Sequence, residues 1–255
     1  MEGLRTICLS LLIVLVAVLR LSAGTEVSKF HPTPQKKVLE KLLTEEYDVS
    51  EWPDADDGKA TKVYMQMFIN SFGSLNAANM DYSVDVFLRQ RWHDQRLAYN
   101  DTREAITITA LEYRNKIWKP DTYFENVKEA TLHQVTMPNI LMRIDRSGNI
   151  LYSMRVTVKL GCPLQLANFP FDEQICKTAF ASYAYTDDVI KYLWHNDTPI
   201  DLPDSLEIAQ FDLLDYQTDT FTYEFATGDF SGVNVSLLFV VKTVTMSCRH
   251  MFLQS

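Results

Sequence analysis

Two cysteines with thirteen residues between them, Cys162 and Cys176, have a type and spacing that suggest a definite chemistry. Their thiols could oxidise to a disulfide, which would close a ring of about fifteen residues and remove unfolded-state entropy worth about 3 kcal/mol. Inside the ring lies Phe169-Pro170-Phe171-Asp172, an apolar turn that ends in one carboxylate. Because proline fixes its own φ and biases the preceding residue toward extended geometry, we expect this turn to be a shaped projection.

The N-terminal segment indicates the compartment in which that bridge would form. Arg5 precedes a short apolar run, and small residues follow it at 22–24, which is typical of a secretory signal peptide over residues 1–23. Cys8 leaves with this segment, so the secreted chain keeps the pair and one odd thiol, Cys248. An oxidising compartment makes the pair a credible bridge. Three glycosylation sequons agree with secretion, at Asn100, Asn196 and Asn234.

Composition and motifs exclude several classes of function. A net charge of −9 argues against nucleic-acid binding, since nothing here neutralises phosphates in quantity. The sequence contains no nucleophile elbow, Gly-rich phosphate loop or His-Glu-x-x-His motif. His133 and His195 do not have the spacing of metal ligands. We therefore expect no enzyme activity, no metal and no cofactor.

The hydrophobic pattern predicts one helix followed by many strands. Apolar residues at i, i+1, i+4 and i+5 between Gln35 and Glu46 favour an amphipathic helix, and no helix is expected after Gly58. Short runs with period two, separated by turn residues, then indicate an all-β, immunoglobulin-like antiparallel β-sandwich. The predicted strands are 63–69, 82–90, 106–109, 140–144, 150–160, 211–216, 221–226 and 233–241.

Several motifs resemble those of the Cys-loop pentameric neurotransmitter-gated channels. The cysteine ring with its internal Phe-Pro-x-Asp is similar to the loop that names that family, and the resemblance extends over about 35–241. It implies an extracellular domain that binds transmitter, assembly into a homo- or heteropentamer, and a coupling role for Phe169, Pro170 and Asp172. The other matching segments are Trp92–Leu97, Trp118–Phe124, Met137–Asn139 and Ser182–Thr186, of which the last two resemble the GABA, glycine and glutamate branch.

The resemblance also implies a ligand site shared between neighbouring subunits. One subunit supplies a principal face and the next supplies a complementary face. The implied principal residues are Tyr123, Ser182, Tyr183, Tyr185, Phe225, Thr227 and Phe230. The implied complementary residues are Phe87, Arg89, Leu151, Ser153 and Arg155.

These residue types suit a small zwitterion. An aromatic box attracts an ammonium group through the ring quadrupole, worth up to about 2 kcal/mol when desolvated. Arg89, with hydroxyls from Ser153 and Thr227, would hold a carboxylate through charge-assisted bonds. The competing interpretation of Arg89 is an outward strand residue paired with an acid.

Departures from the family pattern narrow the choice of ligand. The segment between Cys176 and Cys248 has no second cystine, and 69–71 has no second arginine, so a GABA-like ligand is favoured over glycine and glutamate. Ala181 stands where GABA-binding principal faces carry a glutamate, so the ammonium would lack its counter-charge. The pattern resembles α-type GABA receptor subunits. We therefore expect this chain to lend mainly the complementary face, and a full-length version expressed alone to give little amino-acid current.

The end of the chain departs furthest from the family. We assign residues 24–242 to the extracellular binding domain and 243–255 to a divergent tail, with no apolar run of spanning length after the signal peptide. The sequence therefore predicts either a fragment of a cell-surface chloride-channel subunit or a truncated product. The alternative function is a secreted transmitter-binding protein or dominant-negative decoy.

Overall fold

The computed structural model describes residues 34–167, 173–203, 206, 208 and 210–242. The chain divides into two compact units, residues 1–38 and 39–255, and helix α1 (Pro34–Leu42) begins in the first of them. The predicted helix is confirmed but ends four residues early. The predicted signal peptide, the coupling residues Phe169, Pro170 and Asp172, and the tail from residue 243 lie outside the described residues.

The second unit contains two β-sheets. The eight-stranded sheet A has the order β10-β1-β2-β7-β6-β3, with β5 also on β7 and β9 also on β1, and the four-stranded sheet B has the order β11-β12-β8-β4. The strands of sheet A are β1 (Thr61–Asn76), β2 (Asp81–His93), β3 (Ala105–Ile108), β5 (Val127–Leu132), β6 (Ile140–Asp145), β7 (Asn149–Gly161), β9 (Ile190–Trp194) and β10 (Ile200–Asp201). The strands of sheet B are β4 (Thr122–Phe124), β8 (Glu173–Ser182), β11 (Phe211–Phe225) and β12 (Gly228–Val241).

The two sheets pack face to face, as the predicted sandwich requires. Alternate residues of β2 are buried, because successive side chains of a strand point to opposite faces. Tyr82 of β2 meets Phe239 of β12 with ring centroids 6.1 Å apart. The Tyr82 hydroxyl also lies 2.6 Å from the hydroxyl of Thr178 in β8, where both residues are buried. Burial raises the pKa of Tyr82 to about 12, so this contact stays protonated at physiological pH.

The disulfide is present and joins the two sheets. Cys162 follows the last residue of β7 in sheet A, and Cys176 lies within β8 of sheet B. Their sulfurs are bonded, and both residues are buried. The predicted pairing is therefore confirmed.

Some predicted elements were wrong or missing. The runs 211–216 and 221–226 form one strand, β11, whose many exposed residues make its periodicity weak. Strand β8 was not predicted because its inward positions include polar Gln174 and Thr178. The expectation of no helix after Gly58 is wrong, since Leu111–Asn115 forms a short helix, α2.

Gly148 shapes the β6–β7 hairpin, which carries part of the candidate site. Its φ is +85°, and its carbonyl accepts a hydrogen bond of 2.9 Å from the amide of Asp94 at the end of β2. A Cβ at this position would press on the carbonyl oxygen of Asp94. The hairpin is thus held against β2 by a turn that requires glycine.

We expect Gly148→Ala to lower the free energy of unfolding by about 2 kcal/mol, from left-handed strain plus this clash. Urea unfolding would measure the loss. Gly58→Ala is the matched control, because Gly58 also has a positive φ, +62°, but an added Cβ would meet nothing within 4 Å. It should cost about 1 kcal/mol. Equal losses at the two positions would argue against the clash.

Candidate functional site

The proposed complementary residues lie together on the face of sheet A that points away from the core. In the register of β2 and β7, Phe87 is opposite Arg155 and Arg89 is opposite Ser153. Leu151 lies two residues before Ser153 on β7 and therefore on the same face of the sheet. The intervening β2 residues Val86 and Leu88 are buried, at 0% and 2% exposure, so the sheet separates this polar face from the core.

Arg155 is already engaged within the chain. Its Nη2 donates to Oδ2 of Asp85 at 2.6 Å, and its Nε lies 3.2 Å from both oxygens of that carboxylate. Asn70 also donates to Asp85. Although burial opposes ionisation, the hydrogen bonds from Arg155 and Asn70 hold the pKa of Asp85 below its usual value. The Arg155 charge is therefore balanced, which makes it a poor candidate for binding a ligand carboxylate.

Arg89 has weaker partners. Its guanidinium carbon lies 5.5 Å from the ring centroid of Phe68 on β1, and its Nη1 lies 3.7 Å from Oδ2 of Asp201. The latter distance is too long for a good hydrogen bond, and ion pairs between partly exposed groups contribute only about 0–1 kcal/mol. An acid therefore lies near Arg89, as the competing interpretation required, but a ligand carboxylate with better geometry could displace it.

Arg91 was missed at this face by the sequence reasoning. It lies two residues beyond Arg89, opposite Leu151, and its Nη1 donates to Oε1 of Gln66 at 2.8 Å. Burial and the neighbouring charge of Arg89 lower its pKa. The period-two spacing of Arg89 and Arg91 was the available signal. Arg91, Leu151 and the exposed Arg143 line a cavity of about 780 Å³.

Asp121 organises the loop that follows β8. Its Oδ1 accepts a hydrogen bond from the Ser182 hydroxyl at 2.8 Å, and its Oδ2 accepts from the amides of Tyr183 and Ala184. The Ser182 oxygen in turn accepts from the amide of Tyr185. Ser182 is 3% exposed, so its hydroxyl shapes the loop, whereas Tyr183 is 76% exposed and available to a ligand.

Aromatic residues on or beside sheet B form two groups of rings in contact. The rings of Tyr123 and Tyr183 meet edge to face with centroids 5.6 Å apart, and Phe225 lies 5.8 Å from Phe230. Tyr223 continues the row, 5.7 Å from Phe225. We call these five rings the aromatic cluster. Tyr185 packs instead against the buried Trp118, with ring centroids 6.3 Å apart.

The hairpin between β11 and β12 carries one edge of this cluster. Phe225 pairs with Gly228, which leaves Ala226 and the exposed Thr227 at its tip. The amide of Asp187, in the loop after β8, donates to the carbonyl of Asp229 at 2.8 Å. Two of the loops that carry proposed principal residues are therefore joined through their backbones.

Glu125 was also missed. The Tyr223 hydroxyl donates to its Oε2 at 2.7 Å. Burial and the nearby Glu125 carboxylate raise the pKa of Tyr123, and the same two causes raise that of Tyr223 to about 12. The available signal was the position of Glu125 in the sequence, two residues after Tyr123 and directly after β4.

The three glycosylation predictions have different surroundings. Asn100 and Asn196 are exposed and lie outside the strands. Asn234 is 4% exposed within β12, where it is paired with both β8 and β11. Burial within the sheet opposes attachment of a glycan at Asn234, so Asn100 and Asn196 are the better-placed acceptors.

A disulfide-linked sandwich that bears an aromatic cluster on one sheet and a guanidinium face on the other defines a binding domain. A family model described as "Neurotransmitter-gated ion-channel ligand binding domain" matches residues 35–242. The chain belongs to this family, whose members are receptors rather than enzymes.

Two kinds of relative are informative. The chain is 37% identical over 198 residues to the gamma-aminobutyric acid receptor subunit alpha-2 of Mus musculus, which covers 76% of this chain and 43% of the relative. It is 34% identical over 209 residues to the glutamate-gated chloride channel of Drosophila melanogaster, which covers 80% of this chain and 46% of the relative. The chain thus spans less than half the length of these curated relatives. Among the residues that the structure describes, no helix is long and apolar enough to cross a membrane.

Proposed function

We propose that the chain is the extracellular ligand-binding domain of a neurotransmitter-gated chloride channel subunit and that it contributes a half-site for a GABA-like amino acid. The observation that carries this proposal is the pairing of Arg89 with Ser153 beside Phe87, on the face of sheet A that points away from the core. Among the residues that the structure describes, the only acid paired with the guanidinium is Asp201, at 3.7 Å. A planar guanidinium fork matches one carboxylate, and the neighbouring hydroxyl can add a further bond.

The placement of the two residue sets supports a site between subunits. The complementary residues lie on β2 and β7 of sheet A, and the aromatic cluster lies on sheet B. Within the described ranges, no hydrogen bond or ring contact links one set to the other. A ligand that touches both faces would therefore lie between two neighbouring chains, as in a heterologous ring assembly.

An acidic amino acid is the second candidate ligand. Arg91 places a second guanidinium on the same face as Arg89. It lies on β2, whereas the sequence has no arginine at 69–71 of β1. Two guanidinium groups suit a dicarboxylate. The resemblance to a glutamate-gated channel agrees with this alternative.

Binding of radiolabelled GABA tests the proposal and separates the two candidates. The chain would be expressed alone and co-assembled with a GABA receptor subunit that supplies a principal face. We expect saturable binding of the label. Unlabelled GABA should displace it at about tenfold lower concentration than glycine does, a ratio that corresponds to a difference in binding free energy of about 1.4 kcal/mol. Stronger displacement by glutamate would favour the acidic candidate. Absence of saturable binding in both preparations would contradict the proposed function.

A further inference from the structure

Glu125 is a carboxylate in aromatic surroundings without a cationic partner. It lies directly after β4, is exposed, and is anchored through its amide to the carbonyl of Ala179 at 3.0 Å. Its side chain accepts the hydroxyl of Tyr223. In the part of the chain that the structure describes, no lysine, arginine or histidine forms an ion pair with it.

The rings near Glu125 are those proposed to bind the ligand. Burial and the neighbouring Glu125 carboxylate raise the pKa of Tyr123, whose ring meets that of Tyr183. Tyr223 connects the same carboxylate to Phe225 and, through it, to Phe230. A carboxylate beside aromatic rings can bind a cation, because both the charge and the ring quadrupoles attract an ammonium group.

The position expected to carry the counter-charge cannot do so. Ala181 is opposite Tyr123 in the β4–β8 register, but it is 1% exposed and has no polar side chain. Glu125 lies directly after β4, the strand that pairs with β8, and two residues from Tyr123. The carboxylate that is absent from β8 is therefore replaced by one at the end of β4.

We propose that Glu125 is the residue that binds the ligand's ammonium group, and that this chain carries a competent principal half-site as well as the complementary one. The inference rests on the proposed function and extends it. With both half-sites on one chain, two copies of it can enclose a small zwitterion, with the ammonium at Glu125 of one copy and the carboxylate at Arg89 of the next. This inference replaces the expectation that the chain lends mainly its complementary face.

The first experiment compares two ligands on the chain expressed alone. GABA carries an ammonium group, and 4-hydroxybutyrate carries a hydroxyl in its place. Glu125→Gln should weaken GABA binding by about 30-fold, as expected for a hydrogen bond to a charged group, and should change 4-hydroxybutyrate binding by less than about threefold. Glu224→Gln is the matched control, because Glu224 is exposed on β11 beside Tyr223 and points to the opposite side of the strand. It should leave both affinities unchanged.

The second experiment tests whether the half-sites belong to different copies. Glu125→Gln and Arg89→Ala chains, each defective alone, are co-expressed. If a site lies between copies, about one quarter of the interfaces in a random mixture combine an intact Glu125 with an intact Arg89, so high-affinity GABA binding should return to about that fraction. No recovery would overturn the two-copy arrangement.

The outcomes separate this inference from the proposed function. If the chain binds GABA only when a partner supplies the principal face, the proposed function stands and the inference is wrong. Equal effects of Glu125→Gln and Glu224→Gln would also overturn it. Equal loss of GABA and 4-hydroxybutyrate binding in Glu125→Gln would show a structural role and reject ammonium recognition. If no preparation binds an amino acid, the proposed function fails as well.

Discussion

Replacement of Arg89 by alanine is expected to weaken GABA binding by at least about 30-fold. The guanidinium lies beside Ser153 on the polar face of sheet A, and its nearest acid, Asp201, is 3.7 Å away. Removal of one member of a hydrogen-bonded charge pair between ligand and protein costs about 2–5 kcal/mol, and each 1.4 kcal/mol is a factor of ten in affinity. Equilibrium binding of radiolabelled GABA to the assembled receptor would measure the loss.

Two further variants test whether shape as well as charge matters at this position. Arg89→Lys keeps the charge but cannot form the bidentate fork, so its affinity should lie between those of the original chain and Arg89→Ala. Arg91→Ala should leave GABA binding within about threefold, because Gln66 already holds that guanidinium. An Arg89→Ala chain that binds GABA within threefold of the original would refute the carboxylate assignment.

Removal of the disulfide is expected to lower the free energy of unfolding by about 3 kcal/mol. The double substitution Cys162→Ala and Cys176→Ala opens a ring of about fifteen residues, whose closure reduces the entropy of the unfolded chain by that amount. The bond also joins β7 to β8, and thus one sheet to the other. For a domain with a typical total stability of about 5–15 kcal/mol, such a loss is large.

Urea unfolding under oxidising conditions would measure this change. Reduction of the original chain should reproduce the behaviour of the double variant, and Cys248→Ala serves as the control for loss of a thiol that is not paired with either cysteine. An unchanged unfolding midpoint after removal of both ring cysteines would show that the bridge does not stabilise the folded state.

The strands that could be predicted are those whose burial follows chemical type. In β2, buried Val84, Val86 and Leu88 alternate with less buried residues, and the period-two pattern is visible in the sequence. In β8 the inward positions include Gln174, which pairs with Gln165 of the disulfide ring, and Thr178, which pairs with Tyr82 of the other sheet. Polar residues that are satisfied by tertiary contacts leave no hydrophobic period to read.

The sequence indicates which residues to propose for the site but not how they pair within the chain. The family resemblance places Phe87, Arg89 and Arg155 on one face, and the register of β2 and β7 brings them together. It does not reveal that Arg155 is bound to Asp85, seventy positions away. Glu125 was missed for a similar reason, because its partner Tyr223 lies on a strand nearly a hundred positions later.

The buried hydroxyl contact between Tyr82 and Thr178 limits how this domain can move. Translation of one sheet over the other by a single residue would separate the two hydroxyls in an apolar layer, at a cost of about 1–3 kcal/mol for each group left without a partner. Cys176 lies two residues before Thr178 on β8, so the Cys162–Cys176 bond opposes the same sliding. Ligand binding would therefore move the domain as a rigid body or move the surface loops of the domain. Sliding of one sheet over the other would contribute little.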